Sequence, residues 1–261
     1  MTKFYLLTIF SIILSSNNIN TSISGDPGEI IAVRVNNENI TSNNLRVDIK
    51  GNIYELIPLP FNRQGELILV NNKNILINKK DFGESRITIK NTSMVNLSDE
   101  DSKRAYKESQ LIKKTLDLYT IQIKPEFNFI QPVEGIISSK YGKRRFINDL
   151  PRSPHLALDI GAPTGTKIIS PAKGKIVLIG DFFYAGNYIV IDHGYGLLSS
   201  YSHLSSINVV ENELVEKGHK IGEIGSTGRV TGPHLHWTVY LNKVRINPES
   251  IIKENYLESL L

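Results

Sequence analysis

Apolar and polar positions alternate with period two along most of this chain, and one stretch departs from that rhythm for long enough to form a helix. Between residues 27 and 95 the runs Ile30–Val35, Leu45–Ile49, Ile53–Leu59, Glu66–Val70, Asn74–Ile77 and Ser85–Lys90 read as strands. They are separated by turn formers at Lys50-Gly51, Asn62 to Gly65 and Phe82-Gly83. Short alternating runs punctuated in this way predict a small β-sandwich-like domain over residues 25–97. Ser98 then opens a Ser-Asp-Glu-Asp sequence with Asp101 three positions on, which is the spacing of a capping box with acidic groups at the positive end of a helix. A connecting helix to about Leu118 follows, with Ala105, Leu111, Ile112 and Leu116 as its apolar face, inside a helix-and-linker segment 98–127.

From residue 128 the chain returns to strand and turn. Tyr188, Val190 and Asp192 alternate with Ile189 and Ile191, and Leu197–His203, Ile221–Ile224 and Trp237–Leu241 form further runs. Closely spaced glycines between them imply tight turns, so residues 128–250 are expected to form an all-β domain, with 251–261 as a tail.

The amino terminus follows neither period. Lys3 precedes an apolar run from Phe4 to Leu14, and a Ser/Asn-rich stretch comes after it. A membrane span needs about 20 apolar residues, so this shorter run reads as a signal peptide or N-terminal anchor over residues 1–24. Small residues at Leu14-Ser-Ser16 and Ser22-Ile-Ser24 offer places for cleavage. Export to the periplasm or cell envelope is expected, with membrane attachment only through this segment if it is retained.

The chain has 261 residues, room for two moderate cores. Its net charge of +4 is small for that length, and no dense basic patch with interleaved aromatics points to nucleic acid. Cysteine is absent, which excludes disulfides and thiolate metal sites.

Against that background the histidines matter most. In Gly-Pro-His234-Leu-His236-Trp an extended strand places His234 and His236 on one face, and Leu235 and Trp237 on the other. In His155-Leu-Ala-Leu-Asp159 the same rule aligns His155, Ala157 and Asp159. This spacing also suits a helix, but Pro154 before it and Gly161, Pro163 and Gly165 after it favour a strand. Two histidines and one carboxylate match the usual catalytic zinc set of three protein ligands and one open position.

These segments, together with Ile191-Asp-His-Gly-Tyr-Gly, Tyr201-Ser-His203-Leu, Val215-Glu-Lys-Gly and Gly225-Ser-Thr-Gly-Arg-Val-Thr-Gly-Pro, resemble the lysostaphin-type (LytM domain) zinc metallopeptidases in order and spacing. The resemblance spans roughly residues 130–250 and implies a duplicated hybrid motif β fold. It also implies one zinc ion per chain on His155, Asp159 and His236, with His203 and His234 as catalytic histidines. The implied substrate is the peptide part of bacterial peptidoglycan, by resemblance a D-alanyl to diaminopimelate cross-link. Tyr141, Arg144 and Arg145 fall in a segment that resembles one near the family's cleft, and are candidates to meet substrate carboxylates. Phe182-Phe183-Tyr184 is a candidate groove lining. His193 is expected to support a turn, and His219 to sit exposed. A non-catalytic LytM-type activator of a cell-wall amidase, a cell-wall binding module with a structural metal, and a latent enzyme covered by its amino-terminal domain are the competing readings.

Overall fold

The computed structural model describes residues 23–35, 45–90, 93 and 96–261. The leader over residues 1–24 therefore lies outside the described residues except at its last two positions. Those two, Ile23 and Ser24, belong to the first strand of the fold.

The amino-terminal half carries β1 (Ile23–Gly25), β2 (Ile30–Arg34), β3 (Arg46–Ile49), β4 (Asn52–Pro58), β5 (Leu67–Val70), β6 (Lys73–Ile77) and β7 (Glu84–Ile87). Two three-stranded sheets result, in the orders β1-β6-β5 and β2-β4-β3. They face each other over Val33, Ile57, Leu59, Ile68, Ile75 and Ile77, a sandwich built by the predicted alternation. The other face of the second sheet is apolar as well. Ile30, Leu45 and Leu56 join the main core of the carboxyl-terminal half, so the two halves share buried surface.

Helix α1 (Asp99–Thr115) begins as its sequence predicts, with the Ser98 side chain accepting from the Asp101 backbone N–H at 3.1 Å. Ile112 and Leu116 pack on a cluster with Leu178, Phe182 and Tyr188, whereas Leu111 is exposed, so the buried stripe is narrower than the sequence suggested. Glu108 accepts from the Phe183 N–H at 2.7 Å and fixes the helix to the carboxyl-terminal sheet.

That sheet follows from β8 (Ile136–Ser139), β11 (Leu158–Gly161), β12 (Lys167–Ile169), β13 (Gly174–Phe182), β14 (Gly186–Asp192), β15 (Leu197–Ile207), β16 (Leu214–Val215), β17 (Lys220–Ile224), β18 (His234–Leu241) and β19 (Val244–Ile246). The central order is β16-β13-β14-β15-β18-β11-β8, antiparallel throughout. A separate small sheet contains β9 (Arg144–Ile147), β10 (Leu150–Arg152) and β7, with β7 and β9 parallel. One strand of the amino-terminal half thus completes a sheet of the other half. The terminal segment is also no free tail: in α2 (Pro248–Ile251) Ile251 is buried, and Tyr256 stacks on Phe127 at 6.2 Å in the main core. Among the described residues no helix is long and apolar enough to cross a membrane.

His193 does support a turn, and it is also fully buried. Its backbone N–H donates to Leu197 at 2.8 Å, and its Nδ1–H to the Lys173 carbonyl at 2.8 Å. Nε2 then accepts from the Ser199 hydroxyl at 2.7 Å, so the neutral ring is satisfied. Burial lowers its pKa from 6.5 to about 4, against a smaller opposing effect of the Lys173 carbonyl. The unfolded chain therefore takes up this proton first as pH falls, and stability is lost between about pH 6.5 and 4, by roughly 3 kcal/mol at most. Urea unfolding of wild type and His193→Gln should show the wild-type midpoint falling more steeply across that window, and parallel curves would refute this.

Candidate metal centre

Strand β18 lies between β11 and β15, with His236 directly opposite Asp159 on one side and Ser202 on the other. The predicted alternation holds: Leu235 and Trp237 are fully buried in the core, and His234 and His236 open on the other face. His155 is placed differently from the strand reading. The regular strand starts only at Leu158, and His155 sits in the preceding segment, pinned by its own N–H to the Lys143 carbonyl at 2.9 Å and by the Gly142 N–H to its carbonyl at 2.7 Å. The proline before it and the bend at Ala157 keep this segment out of the ladder.

Three side-chain groups able to bind a metal nevertheless converge. His155 Nε2 lies 2.9 Å from Asp159 Oδ1, His236 Nδ1 lies 2.7 Å from the same oxygen, and the two nitrogens are 3.2 Å apart. His155 Nδ1 faces the Lys140 carbonyl at 3.1 Å, which fixes that nitrogen as the N–H donor and leaves Nε2 a lone pair. Acceptors that close repel unless a cation or proton lies between them. Burial raises the Asp159 pKa, but His236 and His155 outweigh burial and hold the carboxyl well below its usual range. Burial brings His236 down to about 4, against the pull of Asp159. An ionised carboxylate at Asp159 and a neutral imidazole at His236 are states that a divalent metal requires of such ligands. Among the described residues this is the one group of three such donors whose atoms lie within 4.8 Å of one another. The donor set fits zinc.

His203 reaches the same place by another route. Across β14 and β15 the register passes from Ile189 opposite Tyr201 to Asn187 opposite Leu204, so β15 carries one extra residue, and His203 has φ of 70°. Strict alternation would point His203 to the core face with Tyr201 and Trp237. The bulge turns it instead to the cleft, with ring centroids 5.0 Å from His234 and 5.9 Å from His236. Left-handed backbone is strained for a histidine, and the neighbourhood holds it. The His203 N–H donates to Ala185 at 2.7 Å, and Nδ1–H to the Thr227 carbonyl at 2.9 Å. The Thr227 hydroxyl in turn accepts from Asn187 N–H at 3.0 Å and donates to the Leu204 carbonyl at 2.9 Å. Gly186 makes this closeness possible, since a Cβ there would lie 2.2 Å from Thr227 Oγ1. Burial lowers the His203 pKa to about 3, helped by His236 and His234, so the ring is neutral with Nε2 as acceptor. His234 is arranged alike: Nδ1–H donates to Gly232 at 2.8 Å, and Nε2 lies 4.0 Å from Asp159 Oδ1.

Asp159, His203, His234 and His236 line an open cleft of about 480 Å³, whereas His155 is buried. Of the remaining candidates Arg145 and Tyr184 line it, and the other two basic-segment residues do not. Tyr141 is buried in an aromatic cluster with Phe61 and Phe82, its hydroxyl donating to the Arg245 carbonyl at 3.1 Å. Arg144 is on the opposite side of β9 from Arg145 and meets Asp81 at 4.0 Å. Phe182 packs in the core cluster and Phe183 is buried. His219 is partly exposed beside Glu213 at 3.5 Å. The sequence reading missed Arg229, Thr227 and the wall formed by Ser85, Ile87 and Ile89. Arg229 and Thr227 carried one signal, their place in a glycine-bracketed loop that runs straight into the His-x-His strand.

A sequence model for peptidase family M23 matches residues 153–248, the segment that supplies all five of these histidine and aspartate side chains. Residues 153–248 form a peptidase family M23 domain. A crystal structure of an M23 peptidase from Pseudomonas aeruginosa superposes with a TM-score of 0.68 at 28% identity, covering 87% of this chain and 94% of that one. The M23 segment is also similar to curated proteins. An uncharacterized metalloprotease of Buchnera aphidicola is 35% identical over 198 residues, 72% of this chain and 52% of that protein. The peptidoglycan DD-endopeptidase ShyA of Vibrio cholerae is 41% identical over 120 residues, 46% of this chain and 27% of that protein. The chain thus spans about half or less of the length of these two curated relatives.

Replacing Thr227 by valine keeps its shape and removes the hydroxyl that joins Asn187 and Leu204. Thr227→Val is expected to cost about 1–3 kcal/mol in denaturant unfolding, the penalty for stranding the Asn187 N–H while the Leu204 carbonyl keeps the Asn187 side-chain amide at 3.0 Å, and a cost under a few tenths would show that the bulge needs no such tie.

Proposed function

We propose that this chain is an exported zinc endopeptidase that hydrolyses peptide cross-links of bacterial peptidoglycan, with D,D specificity. The observation that carries this reading is the convergence of His155 Nε2, Asp159 Oδ1 and His236 Nδ1 in an open cleft beside two further imidazoles. Similarity to a relative named as a peptidoglycan DD-endopeptidase supports the substrate class. The reading places the protein in the periplasm or cell envelope. Its domain organisation is a leader over residues 1–24, a β domain over 25–97, a helical linker over 98–127 and the peptidase over 128–250.

His155, Asp159 and His236 would hold one zinc ion, which when bound would supply Lewis acidity to a carbonyl and to water. His203 and His234 share the proton work. Each has Nδ1–H committed to a backbone carbonyl, so each presents Nε2 to the cleft. In the neutral ring that atom accepts a proton from the attacking water, and once protonated it donates to the oxygen or nitrogen on which charge or a leaving proton must settle. Among the described residues no glutamate lines the cleft, which leaves the histidines as the bases at hand. An intact donor set separates this reading from a non-catalytic activator, and the open side of the site separates it from a structural metal.

His236→Ala is expected to lose zinc in a metal-content assay, and His234→Ala to retain it while turnover falls about 10²–10⁴-fold. Added zinc should raise the unfolding midpoint of wild type and His234→Ala but not of His236→Ala. The function itself is tested by digesting purified peptidoglycan with zinc-loaded protein, with and without chelator, and weighing the fragments by mass spectrometry. Chelator-sensitive scission at the D-alanyl cross-link is expected, and its absence favours the activator reading.

A further inference from the structure

Two guanidinium groups, of Arg145 and Arg229, line the same cleft as the metal centre and form no ion pair among the described residues. Arg145 occupies the middle strand of the small sheet, directly opposite Ser85 on β7 and Arg152 on β10. Like charges opposite one another across a ladder are unfavourable. Arg229 comes from the other wall. Its backbone N–H donates to the Tyr184 carbonyl at 3.0 Å, and its guanidinium carbon stands 4.1 Å over the Tyr184 ring.

Burial lowers the pKa of both. Tyr184 offsets part of this for Arg229, but Arg145 and Arg152 add to the penalty there. Arg86 meets Glu84 at 2.9 Å, Arg104 meets Glu108 at 2.7 Å and Arg144 meets Asp81 at 4.0 Å, whereas Arg245, like Arg229, stands over a tyrosine ring instead. Among the described residues neither Arg145 nor Arg229 has an acid within ion-pair distance. Among the described residues Asp159 is the one acidic group that lines the cleft, and it is already held by His155 and His236. A concave surface with two half-buried guanidiniums and one committed carboxylate is poised to accept an anion. The rigid donor fork of arginine matches a planar carboxylate better than any other anionic group of a peptide.

We propose that Arg145 and Arg229 clamp a free carboxylate of the substrate peptide, so that the cleft selects peptides carrying an acidic group close to the bond to be cut. The clamp rests on the peptidase reading of the same cleft and goes beyond it by naming the chemical group that decides which peptides enter. Arg145 and Arg229 are specificity residues here. They hold the peptide from two independent walls, the β9 sheet and the loop before β18, so an acidic group is gripped only when both walls are in place.

The test uses one peptide spanning a D-alanyl cross-link, prepared with its free carboxylates and with the same groups as carboxamides. Calorimetric titration into the full chain should give a dissociation constant about 10- to 100-fold lower for the free acid, the scale of a charge-assisted hydrogen-bonded pair. In Arg145→Gln and in Arg229→Gln the ratio should fall towards one. The Lys variant of either residue should recover part of it, and thermal unfolding identifies any variant that fails to fold. Equal affinity of wild type for the two forms, or binding of neither, overturns the clamp. Incubating the same peptides with zinc-loaded protein separates the two ideas. Preferential binding of the acid without chelator-sensitive hydrolysis would sink the peptidase reading and keep the clamp, whereas equal hydrolysis of both forms would do the reverse.

Discussion

Strand β18 must satisfy two opposed surroundings with one run of residues, and the site depends on how it does so. Its Leu235 and Trp237 fill the main core, which fixes the strand's rotation, and this rotation obliges His234 and His236 to face the cleft. A one-residue slip would bury two imidazoles and expose an indole, a cost that no other pairing of this strand could offset. Because β11 and β15 flank it, the same constraint sets where Asp159 and Ser202 stand. The metal centre is thus placed by hydrophobic packing on the face it does not occupy.

Rigidity of the donors comes from the backbone. His155, His203 and His234 each give one ring N–H to a main-chain carbonyl, of Lys140, Thr227 and Gly232 respectively. Such bonds select the tautomer and the ring plane together, so that the opposite nitrogen is aimed before any ligand arrives. Asp159 supplies negative charge at the centre of four imidazoles, and burial with mutual repulsion keeps His203 and His236 neutral. The result is a preorganised pocket of lone pairs.

Alternation made much of this legible in the sequence: the face of β18, the strands of the amino-terminal half, and the Ser98 cap of α1 are local consequences of residue order. Three features are not local. His203 reaches the cleft through a bulge, and period-two reading points it to the core. His155 lies outside the ladder because its fixing bonds go to residues 142 and 143, a contact that spacing within His155–Asp159 does not encode. Arg145 and Arg144 are adjacent and chemically identical, and only the pairing of β9 with β7 from the other half decides which of them faces the cleft. Tyr141 joins Phe61 and Phe82 for the same reason, as part of the seam between the halves.

The parallel pairing of β7 with β9 bears on how the molecule comes together in time. Parallel neighbours cannot be joined by a tight hairpin, and the segment that closes this one contains the whole of α1. On the other side of the cleft, His236 comes from β18, about 150 residues beyond β7 in the chain. Wall and ligands are therefore contacts of high sequence separation, whose loop entropy must be met before either is rewarded. A chain emerging residue by residue would present the strands of its amino-terminal half and the segment of α1 well before it could hold a cleft. Competence at this centre should be among the last properties acquired on folding, and among the first lost when the seam between the halves loosens.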